Sequence, residues 1–207
     1  ARAQNMEDFD VGIEKGGCSQ HVCYADRDGN IVSMTHSLGA PSGVITPGLG
    51  FMYNGCMAVF DPRPGRAGSI APGKARFTAM CPTIAFRDGE PTHVIGAPGG
   101  TFITMGVLQG LLNMIDFGMN LQEAGDAPRI HHTGSSEPTG ESMRDGGTVN
   151  LETGFDYAVI RELMGRGHRI EFSRGPYGGY QAIMKHAEHG VYVGASESRK
   201  DGQAAGY

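Results

Sequence analysis

The chain has 207 residues, a formal net charge of −5, 39% hydrophobic residues and 19% charged residues. This composition belongs to a globular domain able to bury its own core and excludes a disordered or fibrous chain. The acidic balance without a basic run excludes a nucleic-acid-binding surface, and no apolar run approaches the roughly 20 residues of a membrane span.

Residues 1–18 read as a polar lead-in without a signal-peptide core or an initiator Met, as in a fragment of a longer precursor. Residues 19–207 read as one domain, with no internal repeat and no linker. His21 to Ala25 and Ile31 to Ser37 are strand-like, and Asp28-Gly29 between them is a hairpin signal. Residues 39–50 and 60–76 are rich in glycine and proline and read as long loops, a length often tied to function. A second hairpin is expected from Thr83 to Phe86 and His93 to Ala97, around Asp88-Gly89. A helix from Thr101 to Phe117 follows, with Phe102, Met105, Leu108, Leu112 and Ile115 spaced by three and four. Ile103, Val107, Leu111 and Met114 make its other face apolar too, so it is expected to lie between layers with Met105 and Met114 in the core.

Leu121 to Asp126 reads as a short helix ended by Pro128, and residues 133–149 as a polar, glycine-rich stretch. Phe155 to Met164 reads as an amphipathic helix stopped by Gly165 and Gly167. Arg169 to Phe172, Tyr180 to Lys185 and Val191 to Gly194 close the chain as strands, the last two as a hairpin. The order predicts an α+β fold, with helices on one face of a mainly antiparallel sheet. The sheet's other face then needs cover that no further helix supplies, which fits a second polypeptide or an absent N-terminal half.

Two segments carry chemistry. Ser19 stands between Gly17-Cys18 and a strand, and Pro98-Gly99-Gly100-Thr101 opens the long helix. One offers a hydroxyl nucleophile and the other backbone N–H groups for a developing negative charge, which together make acyl transfer. Each has a plainer reading taken alone: a strand-edge serine, a turn before a helix. The four cysteines, Cys18, Cys23, Cys56 and Cys81, form no CxxC pair and read as free thiols, with a pairing of two of them left open. His131-His132 reads as a structural pair, because no carboxylate or cysteine completes a zinc set. Arg129, after Pro128, reads as an anchor for a buried carboxylate or for carbonyls.

Several further motifs recur in a fixed order. They are Ser19-Gln20-His21, Asp26-Arg27-Asp28-Gly29-Asn30, Pro47-Gly48-Leu49-Gly50, Ala71-Pro72-Gly73-Lys74, Met80-Cys81-Pro82-Thr83, Gly96-Ala97-Pro98-Gly99-Gly100, Ala127-Pro128-Arg129-Ile130-His131-His132 and the ending Gly194-Ala195-Ser196 with Ala205-Gly206-Tyr207. In these the chain, from Gly17 to Tyr207, resembles the small, C-terminal subunit of the γ-glutamyltransferase (γ-glutamyltranspeptidase) family. The resemblance implies an Ntn-hydrolase-type αββα sandwich, of which this chain supplies the C-terminal part. It implies a precursor that cuts itself before a hydroxyl residue, here between Cys18 and Ser19, and an N-terminal large-subunit half as partner. The activity implied is cleavage of a small-molecule amide through an acyl-enzyme, with transfer to water or an amine and no metal or organic cofactor.

By position, the resemblance puts the nucleophile at Ser19, where the family usually has Thr, and Gln20 where many relatives have a second Thr. It puts a hydroxyl partner of the nucleophile at Ser37 and the oxyanion hole at Gly99 and Gly100. The substrate segment begins at Asn54, and the family's Gln and its amine-gripping Asp read Cys56 and Val59. The serine pair for the α-carboxylate reads Thr78-Ala79. A site without the Asp should hold a free α-amino group poorly, which favours an acyl donor other than a γ-glutamyl group. The competing expectation is an uncleaved, non-catalytic relative that serves as a binding or structural module.

Overall fold

The structure is a computed structural model that describes residues 19–133, 146–172 and 177–207. The lead-in, and most of the polar stretch after Thr133, lie outside the described residues.

Strands β1 (Ser19–Ala25) and β2 (Ile31–Ser37) form an antiparallel hairpin in which Ser19 stands opposite Ser37 and Ala25 opposite Ile31. Its turn is tied by Asp26, whose Oδ1 accepts from the N–H groups of Asp28 and Asn30 at 2.9 Å each. A second small hairpin pairs β3 (Pro41–Ile45) with β4 (Met52–Asn54), and a 3-10 turn follows at Cys56–Val59. Next come β5 (Thr83–Arg87), β6 (Glu90–Gly96), a 3-10 turn at Gly100–Phe102, and helices α1 (Ile103–Ile115) and α2 (Leu121–Asp126). The chain continues through β7 (Ile130–His132), β8 (Val149–Leu151), α3 (Tyr157–Gly165), β9 (Ile170–Phe172), β10 (Gln181–Lys185) and β11 (Tyr192–Ser196).

The central sheet has the order β11-β10-β6-β5 and is antiparallel throughout. Helices α1 and α2 cover one of its faces. The core there joins Ile95, Ala97, Ala182 and Ala195 to Ile103, Val107 and Met114 of α1, Leu121 and Ala124 of α2, and Tyr180. Burial of a side chain such as Ile95 stabilises the fold by about 1.5–3 kcal/mol. The Tyr180 hydroxyl donates to the Leu121 carbonyl at 3.2 Å, so its polar end is satisfied inside the core. Asn120 caps α2: its side chain accepts from the N–H groups of Gln122 and Glu123, and Glu123 reaches back to the N–H of Asn120.

Ile95 points at the helices, so by strand alternation Gly96 points away from them. A Cβ on Gly96 would lie 2.1 Å from the His21 ring. The β1–β2 hairpin therefore packs on the sheet's second face and supplies part of the cover expected from elsewhere. The layers run helices, sheet, hairpin.

The sequence reading needs four corrections. Residues 41–45, read within a loop, form β3 as far as its register shift allows, despite Pro41 and Gly43. Strand β1 begins at Ser19 rather than His21. β7 and β8 are three-residue strands with no periodicity to find, and β8 pairs with β9 in parallel. Finally, α1 buries one face only. Ile103, Val107 and Met114 are inside, whereas Met105, Leu108, Leu112 and Ile115 remain exposed. Met105 is therefore not core in this chain, although Met114 is.

Candidate active site

On β1, Ser19, His21 and Cys23 share one face, and Ser33, Thr35 and Ser37 occupy the matching positions across the pair. This polar face lies against the sheet. The alternating apolar residues Val22, Tyr24, Val32 and Met34 are about half exposed on the other side.

At the open end of the hairpin the Oγ atoms of Ser19 and Ser37 are 2.8 Å apart. Ser37 Oγ also accepts the N–H of Gly39 at 2.9 Å. That bond occupies one lone pair of Ser37 and leaves its hydroxyl proton free to point at Ser19. The sequence placed these two serines in one site, and the register brings them into contact.

Behind them lies a buried polar cluster. His21 Nδ1 is 2.8 Å from Thr35 Oγ1, and its Nε2 is 3.3 Å from Cys23 Sγ. Cys23 Sγ in turn donates to the carbonyls of Gln181 and Val94, at 3.4 and 3.6 Å. Burial lowers the His21 pKa to about 4 and raises the Cys23 thiol to about 12, so both are neutral at physiological pH. Their contacts lock the hairpin to the sheet. In the unfolded chain an imidazole titrates near ~6.5. Between that value and about 4 the unfolded state binds more protons, so stability falls as pH falls through this window. Burial lowers His93 and His131 as well, which adds to the same slope. Thermal unfolding between pH 7 and pH 4.5 should show Tm declining with pH, and His21→Asn should flatten part of that decline. An unchanged slope in His21→Asn would remove His21 from this account.

The glycine turn sits at the end of β6. Cys23 touches Val94, and His21 lies over Gly96. The two contacts run in opposite chain directions, so the open end of the hairpin, with Ser19, lies toward the end of β6 that leads into the turn. Gly99 has φ 142° and Gly100 φ 60°, both in the left-handed region that favours glycine. The 3-10 turn and α1 start immediately afterwards, so the positive end of the helix faces this point.

The expected substrate residues fall on two flanks. Asn54 Oδ1 accepts the N–H of Cys56 at 3.1 Å, and the N–H of Gly55 reaches the carbonyls of Leu38 and Ala40 at 2.9 and 2.7 Å. A Cβ on Gly55 would lie 2.3 Å from the Ala40 oxygen, so only glycine allows this approach. Cys56 is thereby fixed beside the segment that follows Ser37. On the other flank, Thr104 of α1 donates to the Ala79 carbonyl at 3.3 Å, which ties Thr78-Ala79 to the helix end. Val59 precedes Phe60 and Thr78 follows Phe77, and these two rings line one shallow cavity of about 280 Å3 with Arg76. Cys56 is brought to Leu38 and Gly39, the residues that follow Ser37, and the neighbours of Val59 and Thr78 share that cavity.

Arg129 is an anchor, as its sequence setting predicted. It is almost fully buried, pairs with Glu197, and donates to the carbonyls of Tyr177 and Gly125 at 2.7 and 2.9 Å. Arg199 completes a network with Glu152 and Glu197. Burial pushes the Glu197 carboxyl up, while both arginines pull it down. Sequence reasoning missed Glu197, Arg199 and Gly39, none of which belongs to a periodic pattern. His131 packs between Phe102 and Tyr177, with ring centroids 4.4 and 5.0 Å away. Cys23, Cys56 and Cys81 are free thiols, and Cys18 lies outside the described residues. Among the described residues no three His, Cys, Asp or Glu side chains converge as a metal site, and no helix is long and apolar enough to cross a membrane.

A family model described as gamma-glutamyltranspeptidase matches residues 2–207. The chain is 40% identical over 203 residues to an acylase ACY 1 proenzyme of Pseudomonas sp. (strain V22), covering 96% of this chain and 34% of that protein. It is 33% identical over 192 residues to a glutathione hydrolase proenzyme of Bacillus subtilis (strain 168), covering 92% of this chain and 31% of that protein. The chain thus spans about a third of the length of these curated relatives. Among solved structures, a mutant Helicobacter pylori gamma-glutamyltranspeptidase superposes with a TM-score of 0.73 at 31% identity, over 87% of this chain and 99% of that one. With the family model matching nearly its whole length and the fold superposing on that enzyme, the chain belongs to the gamma-glutamyltranspeptidase family and has its Ntn-hydrolase fold.

Proposed function

We propose that this chain is the catalytic, C-terminal part of an N-terminal-nucleophile amidohydrolase or acyltransferase whose nucleophile is Ser19. The observation that carries this reading is the 2.8 Å contact between the Ser19 and Ser37 hydroxyls. The glycine turn that opens a helix follows β6, the strand on which this hairpin packs. In this reading residues 19–207 are the processed subunit, and residues 1–18 belong to the segment upstream of the cut. Cleavage frees the Ser19 α-amine, which has a pKa near ~8 and serves as base close to neutral pH.

Ser37 donates a hydrogen bond to Ser19 Oγ and keeps its proton, and the Ser19 proton passes to the α-amine as Oγ attacks the amide carbon. The N–H groups at Gly99 and Gly100 hold the oxyanion. The protonated amine then delivers its proton to the leaving nitrogen. Water or an acceptor amine repeats the sequence on the ester and releases the acyl group. An N-terminal large-subunit half of the same precursor covers the apolar residues left outside, Val22, Tyr24, Val32 and Met34 of the hairpin and Leu108, Leu112 and Ile115 of α1.

The acyl donor is an amide whose acyl chain lacks a free α-amino group. Val59 offers no charge to an ammonium, and the flank at Cys56 offers a thiol and carbonyls. This matches the acylase name of the relative at 40% identity better than glutathione use. Two chromogenic substrates test it: γ-glutamyl-p-nitroanilide and glutaryl-p-nitroanilide, which differ only by the α-amino group. Loss of one charged hydrogen-bond partner costs about 1.5–3 kcal/mol, so kcat/KM should favour the glutaryl compound by about tenfold to a hundredfold. A preference for the γ-glutamyl compound would overturn this choice of donor and leave the Ser19 mechanism standing. Turnover of neither, in a chain that never cleaves, would favour a non-catalytic relative.

A further inference from the structure

The glycine turn does not stand alone. A Cβ on Gly99 would lie 2.9 Å from the Cα of Gly178, so the backbone of Gly178 is packed directly under Gly99. Gly178 itself has φ 93°, and a Cβ there would lie 3.3 Å from Arg129 Nη1 and 3.5 Å from the Pro98 oxygen. Gly179 meets the Pro98 ring in the same way, at 2.8 Å. The strip 177–179 is thus the floor on which Pro98-Gly99 rests.

That floor is held from one side by Arg129. Its Nη1 donates to the Tyr177 carbonyl at 2.7 Å, while Nη2 pairs with Glu197 and donates to the Gly125 carbonyl. Arg199 Nη1 donates to the same Glu197 Oε2 at 3.0 Å, so the carboxylate that holds Arg129 is itself held in place. One residue pair later, His131 packs its ring between Tyr177 and Phe102, the last residue of the 3-10 turn that follows Gly99.

We propose that Arg129, buried beneath the Gly99-Gly100 turn, is a positioning residue for the oxyanion hole that acts through the Tyr177 carbonyl and the Gly178 backbone. It touches neither substrate nor the nucleophile. Its five N–H donors in a rigid plane fix three partners at once, and a point-charge ammonium cannot do this. The effect falls on transition-state stabilisation, because the turn's N–H groups are aimed at the oxyanion rather than at the ground-state carbonyl. A displacement of about 1 Å in such donors costs about a hundredfold in rate. This inference rests on the active site proposed above, and the test separates the two.

The test uses the full-length precursor and the preferred p-nitroanilide substrate. Arg129→Met combined with Glu197→Gln removes both buried charges together, which avoids an unpaired buried ion. Gly178→Ala leaves every charge in place and wedges a methyl group between Arg129 and Pro98. Both variants should keep a native circular dichroism spectrum. Their kcat should fall by about tenfold to a hundredfold while KM stays within about twofold. Combined with Gly100→Val, neither should lower kcat much beyond Gly100→Val alone, because both losses pass through the same turn. Folded variants with kcat within about twofold of wild type, or losses that multiply with Gly100→Val, would overturn the proposal and leave the active site intact. Full turnover in Ser19→Ala would overturn the active site, and this proposal with it. If the paired variant does not fold, Gly178→Ala carries the same comparison.

Discussion

Ser19→Ala is expected to leave the precursor as one chain and to abolish turnover. A backbone amide before a hydroxyl residue can undergo an N-to-O acyl shift when its oxyanion is held, and hydrolysis of the resulting ester then opens the chain. Alanine has no oxygen to form that ester. The same oxygen is the proposed nucleophile, so loss of turnover should reach about 10⁴-fold or more even in material cut by other means. Ser19→Thr keeps the hydroxyl and should both cleave and turn over. Ser37→Ala removes the 2.8 Å partner and should slow both steps without abolishing them. Intact-mass measurement separates the cases, since only a cleaved chain begins at Ser19. A Ser19→Ala precursor that still splits before residue 19 would show that another group performs the cut.

Much of this site can be read from the sequence because its parts are local. Asp28-Gly29 closes a hairpin, and hairpin register then decides by arithmetic that Ser19 faces Ser37. Gly99-Gly100 before a long apolar helix is likewise a short-range signal. The role of Ser37, and the oxyanion role of Gly99 and Gly100, come from the family resemblance, which gives order to these pieces but no distances.

What the sequence hid is long-range. The apolar alternation of Val22, Tyr24, Val32 and Met34 marks a buried face by ordinary patterning. The structure instead lays the polar face, with His21, Cys23 and Thr35, against the sheet. A polar inner face is affordable only because each group finds a partner there, and Gly96 gives the His21 ring its space. Nothing within the hairpin predicts that glycine 75 positions away from His21. Like the hairpin, α1 leaves apolar residues exposed on its outer face. The Arg129–Glu197–Arg199 network was legible only as a tendency, since a buried arginine needs a carboxylate but the sequence does not say which of many. Ala79 is tied to Thr104 of α1, and Gly55 to Leu38 and Ala40, by individual contacts that leave no mark in composition or period.

The second large effect is expected at the turn itself. Its two glycines differ in a way that makes them separable. A side chain at Gly99 collides with the Gly178 backbone, so Gly99→Ala should damage the fold and says little about catalysis. At Gly100 a Cβ meets nothing within 4 Å, and it points into the open space beside the turn. In the proposed mechanism that space belongs to the tetrahedral intermediate. Gly100→Val should therefore fold, with a cost of about 1–2 kcal/mol for a β-branched residue at positive φ. For a domain of this size that corresponds to a Tm loss of about 2–8 °C. Turnover should suffer far more, with kcat lower by about a hundredfold or more, the scale of a lost oxyanion donor. Gly100→Ala carries similar backbone strain with less bulk, so its Tm should match that of Gly100→Val more closely than its kcat does. A folded Gly100→Val enzyme with near wild-type kcat would make this turn a structural bend. The oxyanion would then have to be held by other N–H groups.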